Sequence, residues 1–486
     1  MKNIDLREYQ LESVAALRRN IHEKVVNQIL SAPTGSGKTV IAAHLLEECY
    51  KKMKRGIFVA DRIALIDQTS ETLDTYGIPH GIIQGNHWRF RPWERIQIAS
   101  AQTLAKRGWP ESDLIIVDEC HGLNNTVIEQ ITGRKTICIG LSATPLTKAL
   151  GKYYDSVVTV TTTNKLTREK FLVPFRIFAA SEPDMNGVKT VAGEWSDNDA
   201  AEKAMPIIGD VVVEYLKHGQ DKKFIAFGCN VAHCEEMQRQ FAAAGVICEL
   251  YTYRTGDEAR TEIVKEFRKP ESYIRGLISV SALSKGFDVS DVEVIIMARP
   301  LKSSLSEHIQ ILGRGLRIHP GKEFAIVLDH SGNMVRFWDD MHHFLEFGVT
   351  ELDDGKKKEK KAAKKKERKA VKCPKCFHVH DAMPSCPVCG HMYKQSNSIV
   401  HEEGTLKELD TAATAASMEK KRDWYAQLLG IAQERGYNHG WAFHKYKEKF
   451  KVEPKMAKPD PVMASLEVSN WVRSRQIAFA KAKKHA

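Results

Sequence analysis

"VVNQILSAPTGSGKTVIAAHLLEECY", residues 25–50, decides the architecture. It opens as an apolar, β-branched strand pattern, turns through a Gly-rich segment and continues with apolar residues at helical spacing. Strand, glycine turn and helix in that order form a phosphate loop. Gly35 and Gly37 let the backbone curl so that its N–H groups face an anion at the helix start, and Thr34, Gly35, Ser36, Gly37, Lys38 and Thr39 form the candidate nucleotide-binding set. In such a loop Lys38 reaches the β- and γ-phosphates and the Thr39 hydroxyl binds Mg²⁺. The first glycine of the general pattern is replaced by Ala32.

About 80 residues on, "SDLIIVDECHG" is an apolar strand ending in Asp118 and Glu119. The first carboxylate is placed to hold Mg²⁺ with Thr39, and the second to act as base on the attacking water. "IGLSATPL" adds a further strand ending in Ser142 and Thr144. Downstream, residues 222–245 read as strand then helix, 273–300 as two strands around a Gly-containing loop, and 304–329 as helix then strand. This alternation predicts a second parallel sheet with covering helices.

"APTGSGKT", "DECH", "SATP" and "QILGRGLR" follow one another in an order that resembles superfamily 2 helicases of the Asp-Glu-x-His branch, over residues 3 to 335. The resemblance implies an α/β fold of two tandem RecA-like parallel-sheet lobes acting as an ATP-dependent motor on nucleic acid. It also assigns residues. "LREYQ" looks like the adenine-reading motif, with Gln10 as base contact. His121 is similar to the residue that couples the nucleotide site to Ser142 and Thr144. Gly286 and Asp288, in "SKGFD", resemble the motif joining the nucleotide and nucleic-acid sites. Gln310, Arg314 and Arg317 face the γ-phosphate from the second lobe; Arg314 and Arg317 are one helical turn apart, so one helix face is expected to present both. Such arginines stabilise charge on the transferred phosphoryl group. Nucleic acid is expected to cross both lobes through "VADRIALIDQ", "QIASAQTL" and the Asn230 and Ser279 regions.

The chain has 486 residues and a net charge of +11. The segment 356–372 has 11 Lys/Arg against 2 Glu, which leaves only +2 for everything else. Net charge is therefore weak evidence for a basic body. A helix over that run would be polar all round, with no face to bury, so it serves first as a tether. Next comes "CPKCFHVHDAMPSCPVCG", in which Cys373, Cys376, Cys386 and Cys389 have the spacing of a closed tetrahedral Zn²⁺ site. The other six cysteines are scattered, as reduced thiols are, and no apolar stretch is long enough for a membrane span, so a cytoplasmic protein is expected.

From residue 399 the pattern is helical, with Gly436 and Gly440 as expected breaks. Trp424, Tyr425, Tyr437, Trp441, Tyr446 and Phe450 alternate there with basic residues, so they either stack bases or form the core of a small bundle. The expected domains are 1–172 and 173–345 for the lobes, 346–371 for the linker, 372–392 for the zinc module and 393–486 for a mostly helical C-terminal domain. The motor, "DHSGN" and the Cys-x-x-Cys pairs together look like bacterial and phage RadD-type DNA helicases. That resemblance implies work on single-stranded or branched DNA in repair, recombination or phage replication, with RNA left open and a DNA-repair or single-strand-binding protein as a possible partner of the C-terminal region. Two other activities fit the same residues: the motor of a restriction or defence assembly, and a nucleic-acid-stimulated ATPase that remodels protein on DNA without separating strands.

Overall fold

The structure is a computed structural model that describes residues 4–133, 136–179, 183–280, 289–355, 370–372, 379–381, 407–409, 411–450 and parts of 452–475. In chain order the first lobe has strands β1 (Asn27–Ser31), β2 (Gly56–Ala60), β3 (Gly81–Ile83), β4 (Ile96–Ser100), β5 (Leu114–Val117), β6 (Ile137–Ser142) and β7 (Ser156–Val158). They form one parallel sheet in the order β3-β4-β2-β5-β6-β1-β7. Adjacent residues within a strand enter opposite cores. Leu30, Phe58, Ile116 and Ile139 pack on one face, and Ile29, Ile57, Ile115 and Cys138 on the other. Period-two alternation with both faces apolar is what a parallel sheet covered by helices on each side requires.

The second lobe repeats this plan. Its strands are β8 (Phe175–Ala179), a short hairpin of β9 (Thr190–Val191) and β10 (Glu194–Trp195), β11 (Phe224–Phe227), β12 (Cys248–Leu250), β13 (Gly276–Ser279), β14 (Val294–Met297) and β15 (Ala325–Asp329). Beyond them are a two-stranded pair, β16 (Ala370–Lys372) and β17 (Val379–Asp381), and finally β18 (Lys407–Leu409). The large sheet runs β12-β13-β11-β14-β15-β8-β18, all parallel except β18. Thus the chain beyond the lysine run returns an antiparallel edge strand to the second lobe, a feature absent from the sequence expectations.

Residues 355–405 form a compact unit separate from the rest. Cys373, Cys376, Cys386 and Cys389 lie outside the described residues, as do Gly286 and Asp288. Among the described residues no cluster of three or more His, Cys, Asp or Glu side chains is assembled for a metal, and no helix is long and apolar enough to cross a membrane.

The C-terminal region has helices Thr411–Glu434 and His439–Phe450. Trp424, Tyr425 and Tyr446 are buried with Leu428, Leu429 and Val472, so these aromatics build a core and are not free to stack bases. Gly436, at φ +66°, makes the turn between the helices. Gly440 does not break the second helix: the Asn438 side chain accepts its N–H at 3.1 Å, so Gly440 lies in a capped first turn.

Candidate functional site

The phosphate loop follows β1. Ala32 N donates to Ser142 O at 3.1 Å, tying the ends of β1 and β6 together. Ala32 is not among the residues with positive φ, so the missing glycine of the general pattern leaves no strain. Gly35 and Gly37 do have positive φ, at +83° and +80°. Gly37 caps the helix Lys38–Lys51, and a Cβ built on it would lie 2.6 Å from Gln10 Nε2. The loop is therefore held open for an anion by backbone that only glycine adopts readily.

Lys38 is half-buried and its Nζ donates to Ala32 O and Pro33 O at 3.1 and 3.3 Å, curling over the loop. Burial lowers its pKa, with Glu119 and Asp118 pulling the other way. Across from it, burial and the Glu119 carboxylate push Asp118 up to about 7, with Lys38 opposing. Two adjacent carboxylates with one half-buried lysine opposite would be relieved by a further cation. Asp118 therefore fits Mg²⁺, with Thr39, in the first turn of the Lys38–Lys51 helix, as the other candidate ligand. Glu119 sits at φ +46° at the start of the turn Cys120–Gly122. Non-glycine residues occupy that region at a cost of order 1–3 kcal/mol.

The second lobe closes the site. Gln310 Nε2 lies 3.2 Å from His121 Nε2 and donates to Thr144 Oγ1 at 3.0 Å. Thr144 Oγ1 also meets Ser306 Oγ at 2.6 Å. His121 Nδ1 lies 2.9 Å from Ser142 Oγ and 3.2 Å from Glu119 Oε2. With Gln310 donating to Nε2, the network assigns the imidazole proton to Nδ1, which donates to Ser142 Oγ and leaves Glu119 Oε2 nearby but without a hydrogen-bond partner among the described residues. Gln310, His121, Ser142 and Thr144 thus form one buried network across the lobes.

Arg314 and Arg317 come together by another route than expected. The helix Leu305–Leu312 ends before either, so they do not share a helix face. Arg314 lies in the turn that follows, and Arg317 pairs in an isolated bridge with Leu172. Both are close enough to Lys38 to lower its pKa, and Arg317 Cγ would touch a Cβ on Gly35 at 3.5 Å. Gly313 permits this approach, since a Cβ there would fall 2.7 Å from Thr34 Cβ.

Gln10 is buried and both ends of its amide engage the protein. Oε1 accepts from Arg7 N at 2.9 Å, and Nε2 donates to Ser36 O at 2.9 Å. In this geometry it braces the phosphate loop. Tyr9 OH donates to the same carbonyl at 2.9 Å, and Phe171 meets both the Tyr9 ring and the Arg7 guanidinium. Tyr9 and Ser306 were not singled out from sequence. Tyr9 is next to Gln10, and Ser306 is four residues before Gln310 on the same helix face, which is the signal that points to it.

Of the expected nucleic-acid track, Ser100 caps the helix Ala101–Arg107, and Gln102 donates to Asp61 O at 3.1 Å. Asn230 caps the helix Val231–Ala243. Ser279 is fully buried, and its hydroxyl donates to Tyr251 O at 2.6 Å, so that side chain is structural.

Residues 3–147 match the family described as type III restriction enzyme, res subunit, and residues 208–319 match the helicase conserved C-terminal domain. A 51.5 kDa protein of a Lactococcus phage is 27% identical over 378 residues, which is 75% of this chain and 77% of that protein. The putative ATP-dependent helicase IRC3 of Saccharomyces cerevisiae is 26% identical over 357 residues, and the match spans 67% of this chain but only 51% of the yeast protein. Among solved structures, a fragment of a putative HsdR subunit of a type I restriction enzyme from Vibrio vulnificus YJ016 superposes with a TM-score of 0.57 at 20% identity, over 72% of this chain and 69% of the fragment. Taken with the order of the motifs and the two parallel sheets that carry them, these matches place the chain among the superfamily 2 helicases, the ATP-hydrolysing motors of this fold.

Proposed function

We infer that the chain is an ATP-driven DNA motor that moves on single-stranded or branched DNA. The observation that carries this is the buried network of His121, Ser142, Thr144 and Gln310 beside Glu119, because it makes one site out of both lobes. Lys38 and the loop amides bind the phosphates, Arg314 and Arg317 stabilise charge on the transferred phosphoryl group, and Glu119 takes the proton of the water whose oxygen attacks the γ-phosphorus as its bond to ADP breaks. Mg²⁺ held by Asp118 and Thr39 would neutralise phosphate charge there. Gln10 and the Tyr9–Phe171 pair border the place for adenine. Loss of the γ-phosphate removes what draws the arginines to the loop, so the lobes part, and alternate closing and parting against a strand gives a step.

The phosphate contacts of such a track are sequence-blind, from the 59–68 and 97–104 segments and the end of β11. RNA is an alternative substrate, separated by the same assay. Cys373, Cys376, Cys386 and Cys389 would hold one structural Zn²⁺, and the short β16–β17 pair flanks the first two of them in sequence. Its place at the end of the lysine run suits auxiliary DNA contact. Six buried free cysteines in the lobes agree with a cytoplasmic setting. A role in repair, recombination or phage replication is the preferred context, in keeping with a phage relative matched over most of its length. The match of residues 3–147 to a restriction-enzyme family supports a second reading, the motor of a restriction or defence assembly.

Steady-state ATP hydrolysis without nucleic acid, then with single-stranded, duplex and forked DNA and with RNA, tests the proposal. Stimulation by single-stranded or forked DNA that disappears in Lys38→Ala is expected; hydrolysis indifferent to every nucleic acid would overturn it.

A further inference from the structure

Residues 84–95, "QGNHWRFRPWER", join β3 to β4 at the edge of the first lobe. Trp88 and Trp93 are 75% and 74% exposed, and Phe90 44%. The other six of the chain's eight tryptophans are buried or half-buried. A single exposed apolar side chain is ordinary, but three aromatics within six residues of one loop call for a ligand.

The loop is anchored from beneath. Arg89, largely buried, donates to Ser70 Oγ at 2.9 Å and to Asp74 Oδ2 at 2.8 Å, and lies 2.7 Å from His80 Nε2. Buried Gln97 of β4 donates to the carbonyls of Arg91 and Glu94 at 2.9 and 2.8 Å. Ile82 N donates to Arg89 O at 2.9 Å. These bonds fix the backbone while the rings stand in water, a preorganised surface that loses little freedom on binding.

Its charge is positive. Arg91 is exposed, as are Lys106 and Arg107 of the adjoining helix. The Arg107 guanidinium lies 5.6 Å from the Phe90 ring centroid, and that of Arg89 5.0 Å from the Trp88 ring. Of the nearby acids, Asp74 is paired with Arg89. Aromatic faces beside cations stack unpaired bases and neutralise phosphates together. Gly85 N donates to Thr103 Oγ1 at 3.2 Å and Arg107 to Asn86 Oδ1 at 3.3 Å, so the loop abuts the 97–104 segment assigned above to the track.

We propose that this loop is a base-stacking platform for single-stranded nucleic acid, extending the track along the edge of the first lobe. The proposal rests on the nucleic-acid function inferred above. An apolar protein surface could cover the same rings, but the surrounding cations and the direct link to residues 97–104 favour a polyanion.

The test is fluorescence anisotropy of the full chain with a dye-labelled oligothymidylate and with a duplex of equal length. It compares wild type, the Trp88→Leu/Trp93→Leu pair and the Trp88→Phe/Trp93→Phe pair, each first checked for an unchanged melting temperature. Leucine keeps apolar area and removes the π face. The leucine pair is expected to weaken single-strand binding about fivefold or more while duplex binding holds, and the phenylalanine pair to restore most of it. Equal single-strand affinity for wild type and the leucine pair would overturn the platform, leaving the surface to a protein partner and the broader function intact. Equal loss on single strand and duplex would also overturn it, since the rings would not then be gripping unpaired bases. A wild type that binds neither oligonucleotide would overturn both proposals.

Discussion

Gln310 on the second lobe lies 3.2 Å from His121 on the first, two residues beyond Glu119. Gln310 also donates to Thr144 Oγ1 of the first lobe at 3.0 Å, and both contacts exist only while the lobes are together. Replacing Gln310 with Ala should lower nucleic-acid-stimulated hydrolysis about two- to tenfold, the range of one net hydrogen bond, with nucleotide affinity little changed. Steady-state kinetics with a separate nucleotide-binding titration checks this.

Arg317→Ala and Arg314→Ala should each act mainly on turnover. Arginines that reach a phosphoryl group in the transition state contribute on the order of 10³ to 10⁵ in rate where isolated, so a fall of about that size in kcat with a modest change in ATP affinity is expected. Single-turnover hydrolysis separates the two.

Gly37→Ala combines a left-handed φ of +80° with a Cβ only 2.6 Å from Gln10 Nε2. The backbone term alone is about 1–2 kcal/mol for an L-residue, and the contact with Gln10 adds to it. A lower melting temperature together with lost ATP binding is expected, measured by calorimetry with and without nucleotide.

Acid should unfold the second lobe. Burial pushes His233 and His330 down to about 4 and His308 to about 3, from 6.5. All three are neutral in the fold, so below pH 6.5 the unfolded chain binds protons that the folded chain refuses, and stability falls as pH falls toward those values. Each contributes about 2 kcal/mol of loss at pH 5. Thermal melts at pH 7.5 and pH 5 should show the drop, with the second-lobe tryptophans Trp195 and Trp338 reporting it.

The zinc module proposed for residues 372–392 would hold one Zn²⁺ per chain, which atomic absorption measures. Cys386→Ser should release it and lower DNA affinity while leaving the melting of the lobes in place, because residues 355–405 form a unit of their own.

Much of the candidate site's geometry was legible because it is local: Gly35, Gly37 and Lys38 lie within four residues, and Asp118 and Glu119 follow a strand whose apolar run announces it. What the sequence hid depends on distant partners. Arg314 and Arg317 have helical spacing, yet the helix stops at Leu312, and it is the Leu172 bridge that aims Arg317. Helical spacing of Trp424, Tyr425 and Tyr446 is the same whether they stack bases or pack a core, and only the third segment containing Val468 and Val472 decides for the core. Residues 407–409 are too short and polar to announce a strand, and they become one by pairing antiparallel to β8. Trp88 and Trp93 look like core residues by composition, and their exposure follows from Arg89 and Gln97 holding the loop at a sheet edge.

The most direct test of a DNA motor is displacement of streptavidin from a biotinylated single strand. ATP-dependent displacement by wild type, absent in Glu119→Gln although that variant still binds ATP and DNA, is the expected result. Hydrolysis stimulated by the same strand without any displacement from either of its ends would contradict movement and leave a DNA-gated ATPase in its place.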